Sequence, residues 1–331
     1  MAKLKFGAWI PTYAWGDRKP GPENVRRIRA SIEKCEKHGI DVWDIDHLLS
    51  APGLYGHAWL EPLTMLAYAA ALTERVKIAT GILVLPVRHP VVLAKEISTL
   101  CHISNNRFVW GVGPGWYARE FEVTGSRIEE RGRRTDEIIE AVTLLLTRPN
   151  ASYEGRYYRF HDVTIDPRPP RMPPIWVSGG SRVPDPDEHD VPVLAKSVMD
   201  RIVRAGNWLS RCSGKQEWVK RDWAQLQEHA RLTGRDPKRL TFGHCNFIHL
   251  VEERSHERAA AKSRAPFLRA MGPHRSWEHL QECYMVGSID RINARIQDLV
   301  DAGLKYLVLG PVADDPRQID LMAKHVMRRF G

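Results

Sequence analysis

The sequence predicts an α/β chain, a single domain over residues 1–331, whose parallel strands close into a (β/α)8 barrel. Short apolar runs rich in β-branched and aromatic residues alternate with helix-period segments of ten or more residues, the pattern of βα units joined by right-handed crossovers. The number of units and the 331-residue length suit a closed eight-stranded barrel. An open doubly wound sheet lacks its signature here. No GxGxxG turn follows the first strand, and Gly111-Val112-Gly113-Pro114-Gly115-Trp116 puts tryptophan where that fingerprint needs its third glycine. A GxxxxGK[ST] phosphate loop is absent too.

In chain order, Leu4–Ile10 reads as the first strand, ended by Pro11. Glu23–His38 carries Val25, Ile28, Ile32 and Cys35 at helical spacing and stops at Gly39. Asp41–Ile45 is the next strand, followed by a Gly/Pro-rich loop and a helix over Pro62–Glu74. Val76–Thr80 is a buried strand, Val91–Cys101 a helix and Phe108–Val112 a strand. Glu129–Thr147 is a long helix with Ile138, Val142 and Leu145 on one face. Strands follow at Pro174–Val177 and Thr241–Val251, then a helix over Ser288–Ala302 stopped by Gly303. Strand Tyr306–Leu309 and helix Arg317–Phe330 close the chain.

Composition narrows the class. A hydrophobic content of 43% with 27% charged residues is ordinary for a globular chain and excludes a disordered or fibrous one. No apolar run reaches the roughly 18–20 residues of a membrane span, and the N-terminal stretch lacks a leader's apolar core. Cys35, Cys101, Cys212, Cys245 and Cys283 are an odd, scattered set without CxxC spacing, read as reduced thiols. A cytoplasmic location without membrane attachment is therefore expected. The net charge of +9 suits nucleic acid or an anionic small ligand. Basic clusters such as Arg131-Gly132-Arg133-Arg134 are bracketed by Glu129, Glu130, Asp136 and Glu137, the pattern of a solvated helix, so no nucleic-acid partner is expected.

In a barrel, function sits on the loops after the strands. The second strand runs into Asp46-His47, a histidine beside carboxylates that suits proton transfer or, equally, a loop cap. Thr80-Gly81 ends the third, where glycine among buried residues means close backbone approach by a ligand, an unusual peptide geometry or, equally, a bulge. Gly113, Gly115 and Trp116 end the fourth, as an aromatic-walled pocket or a turn with core aromatics. Ser178-Gly179-Gly180-Ser181 can cradle a phosphate, though such a turn is weak evidence alone. Trp9, Trp15, Trp59 and Trp116, on strand ends or loops, suggest an apolar pocket, and Arg88 can pair a substrate anion or a cofactor phosphate. The acidic loop Asp185–Asp190 has flexible, Pro-rich spacing that orients no ligands, so no metal is expected.

Taken in order, these segments resemble the bacterial luciferase-like flavin-dependent monooxygenases, a superfamily shared with F420 (deazaflavin)-dependent reductases. The likeness runs through Lys37–His47, Leu72–Gly81, Arg88–Glu96, Ser104–Trp116 with Glu120-Phe121, Tyr153–Phe160, Pro173–Gly180, Gly234–Pro237 and Gly287 to Gly303. It implies a TIM barrel packed as a homodimer, its cofactor mouth at the C-terminal face. His47 with Asp46 would be catalytic, stabilising an oxygenated intermediate or moving a proton. Thr80 and Gly81 would back the cofactor ring, with a non-proline cis bond at Gly81–Ile82. Gly113, Gly115 and Trp116 would border it, and Ser178, Gly179 and Gly180 would hold its phosphate arm. Many relatives carry Ala-Asp-Gly-Trp where this chain has Ala205-Gly206-Asn207-Trp208.

The expected function is oxygenation of a small organic substrate with O2 and reduced FMN from a separate flavin reductase. The alternatives are F420-dependent hydride transfer and a non-catalytic flavin or ligand binder. Trp116 stands where the F420 sugar-phosphate members carry a glutamate acid, which argues against a sugar phosphate. Residues 181–192 and 252–287 read as insertions near the C-terminal face. The second is far longer than an ordinary βα loop; Phe267, Leu268, Met271 and Trp277 would let it close as a lid, the alternative being a permanently packed helical pair.

Overall fold

The computed structural model describes residues 3–14, 21–50, 58–181, 194–272 and 275–331. Eight parallel strands form a closed barrel: β1 Lys5–Trp9, β2 Asp41–Asp44, β3 Ile78–Thr80, β4 Phe108–Gly113, β5 Ile175–Gly179, β6 Asn207–Ser210, β7 Thr241–Ile248 and β8 Tyr306–Pro311. Each pairs with its sequence neighbours. Closure comes from β8 on β1, with Tyr306 opposite Lys5 and Leu309 opposite Ala8.

The helices start and stop on local chemistry. Helix α1, Pro22–His38, begins with proline in its first turn and ends at Gly39, whose φ of 70° is the left-handed cap conformation. It buries Ile28, Ile32 and Cys35 against the barrel. The Glu61 carboxylate accepts from Thr64 N to start α2, Pro62–Leu72, and the His89 imidazole accepts from Val91 N to start α3, Pro90–Ile103. A short helix α4, Ala118–Val123, follows β4, and α5 spans Arg131–Thr147 with Ile138, Val142 and Leu145 buried. The later helices are α6 Lys196–Ala205, α7 Gln216–Leu232, α8 His256–Met271, α9 Trp277–Cys283, α10 Ile289–Asp301 and α11 Arg317–Met322. No helix among the described residues is long and apolar enough to cross a membrane.

Three differences from the expected elements have physical causes. Strand β6 is only four residues, Asn-Trp-Leu-Ser, too short for a period-2 signal. An antiparallel hairpin, Ala151–Glu154 with Arg159–Val163, lies outside the barrel and has exposed residues on both arms. The expected last helix is broken after Met322 by a π-helical turn over Ala323–Met327.

Two apolar cores result. One lies between strands and helices and includes Ile32, Leu66, Ile97, Trp208 and Leu309. The other fills the barrel with Trp9, Trp43, Trp176, Leu209, Cys245, Phe247 and Tyr306. The Trp43 and Trp176 rings meet edge to face at 6.2 Å, and Trp43 meets Tyr306 at 5.6 Å. A barrel this full leaves room for a ligand only at its rim.

Candidate functional site

At the C-terminal rim lies a cavity of about 250 Å³. Its wall includes Trp9 after β1, Asp46 and His47 after β2, and Gly81 and Ile82 after β3. Gly113, Gly115 and Trp116 join from β4, Ser178 and Gly179 from β5, and Arg211 and Cys212 from the end of β6. Cys245 and Phe247 come from β7. Nine of the residues expected at a site thus share one surface: Trp9, Asp46, His47, Gly81, Gly113, Gly115, Trp116, Ser178 and Gly179.

His47 is buried, and its orientation is fixed by a residue that the sequence reading passed over. The Glu120 Oε1 atom on α4 accepts from His47 Nδ1 at 3.1 Å, from Leu48 N at 2.7 Å and from Leu49 N at 3.2 Å. With Nδ1 committed to Glu120, Nε2 is the nitrogen left for a ligand. The His47 ring also lies 4.7 Å from Trp59 and 5.4 Å from Trp116, centroid to centroid. Among the described residues, Glu120 Oε2 has no hydrogen-bond partner. A signal was present in Glu120-Phe121, but nothing local shows that this carboxylate turns back 73 residues to His47.

Asp46 lines the cavity and at the same time anchors the loop after β3. Its Oδ2 accepts from Val84 N at 2.9 Å, and Arg88 Nη2 donates to it at 3.1 Å. Burial raises its carboxyl above the usual range, and Arg88 opposes that shift. Arg88 also pairs with Glu61 at 3.1 Å, so it is neutralised beside the cavity instead of lining it, a correction to its expected place in the substrate pocket.

Three other residues sit behind the wall. Thr80 is buried and donates its Oγ1 hydroxyl to Gly111 O at 2.7 Å, so its side chain serves strand pairing. Trp59 reaches the site through His47 and is not itself on the cavity wall. Gly180 faces Asp222, whose Oδ2 accepts from Ser181 N at 2.7 Å; a Cβ at Gly180 would stand 3.1 Å from that oxygen. Trp15 and the acidic loop Asp185–Asp190 lie outside the described residues, as does most of 181–192.

The Gly81–Ile82 peptide is cis. Gly81 is required by its neighbours: a Cβ there would lie 2.7 Å from Trp9 Nε1 and 2.8 Å from Trp43 Cε3. Neither ring is loose, since Trp9 Nε1 donates to Gly81 O at 3.0 Å and Trp43 Nε1 to Tyr306 Oη at 3.1 Å. Gly81→Ala is expected to cost about 1–3 kcal/mol by overpacking, read as a lower urea midpoint. An unchanged midpoint would mean that the rings yield freely.

Arg211 is the other residue the sequence reading missed, because β6 carried no strand signal. Its stem lies against the Gly180 position and its guanidinium against Gly214, on the side of the cavity that holds Ser178 and Gly179. Burial raises the Asp222 carboxyl, an effect countered by Ser181 and by the Arg211 charge.

In the 252–287 segment, Phe267 and Met271 on α8 and Leu280 and Cys283 on α9 are fully buried, and the Phe267 ring packs on Tyr284 at 5.8 Å. None of these four lines the cavity. Arg295 Nη2 donates to Glu282 O at 2.8 Å and so holds the end of α9. Of the apolar groups expected to close over a ligand, Phe267 and Met271 are used in packing, while Leu268 and Trp277 are partly buried against the same core. Hydrogen exchange over residues 256–271 and 277–283 is therefore expected to be slow and equal with and without reduced cofactor; ligand-induced protection would restore the lid.

Comparison with known proteins places this geometry. Residues 4–184, more than half of the chain, match the family model described as luciferase-like monooxygenase. An F420-dependent glucose-6-phosphate dehydrogenase of Amycolatopsis mediterranei (strain U-32) is 30% identical over 327 residues, covering 90% of this chain and 92% of that protein. An FMNH2-dependent dimethylsulfone monooxygenase of Pseudomonas putida is 26% identical, covering 70% of this chain and 62% of its own length. Among solved structures, monooxygenase RslO1 from Streptomyces bottropensis shares the fold with a TM-score of 0.79 at 24% identity, covering 99% of this chain and all of that one. The chain belongs to the luciferase-like monooxygenase family, whose fold is a TIM barrel and whose members include flavin- and F420-dependent oxidoreductases.

Proposed function

We propose that this protein is an FMN-dependent monooxygenase acting on a small, apolar organic substrate, with reduced FMN delivered by a separate flavin reductase. The observation that carries this reading is the character of the wall. Ile45, Ile82, Val84, Trp116, Leu209 and Phe247 supply apolar surface, and Arg211 is the one Lys or Arg among the described residues lining it. Such a site fits a flat aromatic ring with a single anionic arm, and suits poorly the longer, more highly charged tail of F420. Ser178, Gly179 and Arg211 would hold the phosphate, and Trp9, Ile82 and Phe247 would flank the ring.

When bound, reduced FMN would supply the electrons that activate dioxygen. The chain's part is to exclude water with the apolar wall and to handle protons at His47 Nε2, in the orientation that Glu120 sets. The second reading, F420-dependent hydride transfer, is favoured by the 30% identity to a dehydrogenase over 90% of the chain. The same wall residues would then exclude water, and His47 would donate or accept the proton that accompanies hydride transfer.

Anaerobic titration with reduced FMN and with F420, followed by admission of oxygen and candidate substrates, separates the readings. Tighter reduced-FMN binding with substrate-dependent oxygen uptake is expected. Tight F420 binding alone would favour the reductase, and binding of neither a non-catalytic ligand binder. Arg211→Gln should weaken reduced FMN by about 10- to 100-fold, the scale of a hydrogen bond to a charged group. Reduced riboflavin, which lacks the phosphate, should change less than about threefold on the same scale; equal losses for both would move the phosphate elsewhere.

A further inference from the structure

Strands β6 and β7 are neighbours, with Ser210 opposite His244. One residue past His244, Cys245 points into the barrel with Leu209 and Phe247; two residues past Ser210, Cys212 is half-buried. Both cysteines line the rim cavity. The Cys245 thiol donates to Ser210 O at 2.9 Å, two residues before Cys212, and burial and the neighbouring Cys212 push the Cys245 thiol up. Neither cysteine is in a disulfide. Cys35 and Cys101, by contrast, are buried in α1 and α3 away from this cavity. The register ends with Ser210 opposite His244, so Cys212, just past the end of β6, is offset by one position from Cys245; with adjacent strands about 4.8 Å apart, that offset stays near a disulfide's Cα range.

We propose that Cys212 and Cys245 form a peroxide-sensitive dithiol, which hydrogen peroxide entering the cavity converts to a disulfide linking the ends of β6 and β7. Cys212 is the more open of the two and follows Arg211, a cation on the same wall, so it is the attacking thiol. As a thiolate it attacks one peroxide oxygen. The O–O bond breaks, and the departing hydroxide takes up the proton that Cys212 released, giving water and a sulfenic acid. The Cys245 sulfur then attacks the Cys212 sulfur. The S–O bond breaks, and the leaving hydroxide takes the Cys245 proton as a second water. Two thiols thus lose two electrons in all, and one peroxide becomes two waters. A reducing dithiol reverses the change by exchange. On the proposed function, oxygen reduced without substrate oxidation would release peroxide beside this pair; the thiol chemistry itself needs no cofactor.

The test treats the cofactor-free, full-length protein with one equivalent of hydrogen peroxide, then counts thiols and maps peptides without reduction. Loss of two thiols per chain is expected, with a Cys212–Cys245 cross-linked peptide that dithiothreitol removes. Cys245→Ser should halt at a dimedone-trapped sulfenic acid on Cys212, and Cys212→Ser should slow thiol loss at Cys245 at least tenfold. Wild-type mapping decides the matter even if a variant fails to fold. A reduced pair after treatment, Cys212 over-oxidised without a cross-link, or first oxidation at Cys35, Cys101 or Cys283 would each overturn the proposal. Because no flavin is present, failure here is distinguishable from failure of the monooxygenase reading.

Discussion

His47→Ala is expected to lower turnover by about ten-fold to ten-thousand-fold, the range for a positioned acid–base group. The imidazole lies on the cavity wall with Nδ1 held by Glu120, so under the proposed function its other nitrogen would handle the proton. A polar residue on a loop ordinarily carries little core. The structure changes that expectation: His47 is 8% exposed and packs on Trp59 and Trp116. Alanine should therefore also cost about 1–2 kcal/mol, as for other losses of buried contact, with circular dichroism still reporting a folded barrel. Unchanged turnover with either cofactor would remove His47 from the chemistry.

Glu120 should show the second large effect. Glu120→Leu leaves three buried or half-buried N–H groups, those of His47, Leu48 and Leu49, without the oxygen they share. At about 1–3 kcal/mol for each unsatisfied group, the loss approaches the roughly 5–15 kcal/mol that holds a typical domain folded. A large drop in urea midpoint, or an insoluble protein, is expected. Glu120→Gln keeps a carbonyl oxygen for the two backbone donors and should stay folded. Its amide can also present an N–H to His47 and favour the other imidazole tautomer. Turnover should then fall about ten- to a hundred-fold, a modest acid–base loss, with little change in KM, the split expected of a residue that acts by positioning His47. A loss confined to KM, or none, would make Glu120 a purely structural acceptor.

What the sequence by itself determined here is local. Helix α1 was legible because Ile28, Ile32 and Cys35 recur at helical spacing and Gly39 follows, and none of those signals depends on distant residues. The order of βα units followed from the alternation, and with it the rim location of His47, Gly81, Gly113 and Ser178. Helix α7 has the same kind of spacing, Val219, Trp223, Leu226 and Ala230, but both it and the four-residue strand β6 before it went unread. Arg211 and Cys212 were lost to the functional reading with it.

Only the tertiary structure decided which side chains meet. Asp46 and Arg88 were both visible as candidates, but their pairing across 42 residues depends on how the loop after β3 folds back over β2. That pairing turns Arg88 from a substrate anchor into the counter-ion of a buried carboxylate. The contact of Glu120 with His47 and the shared cavity wall of Cys212 and Cys245 arise the same way. Barrel closure brings strand ends from distant parts of the chain to one rim, and no periodicity records which atoms then face each other.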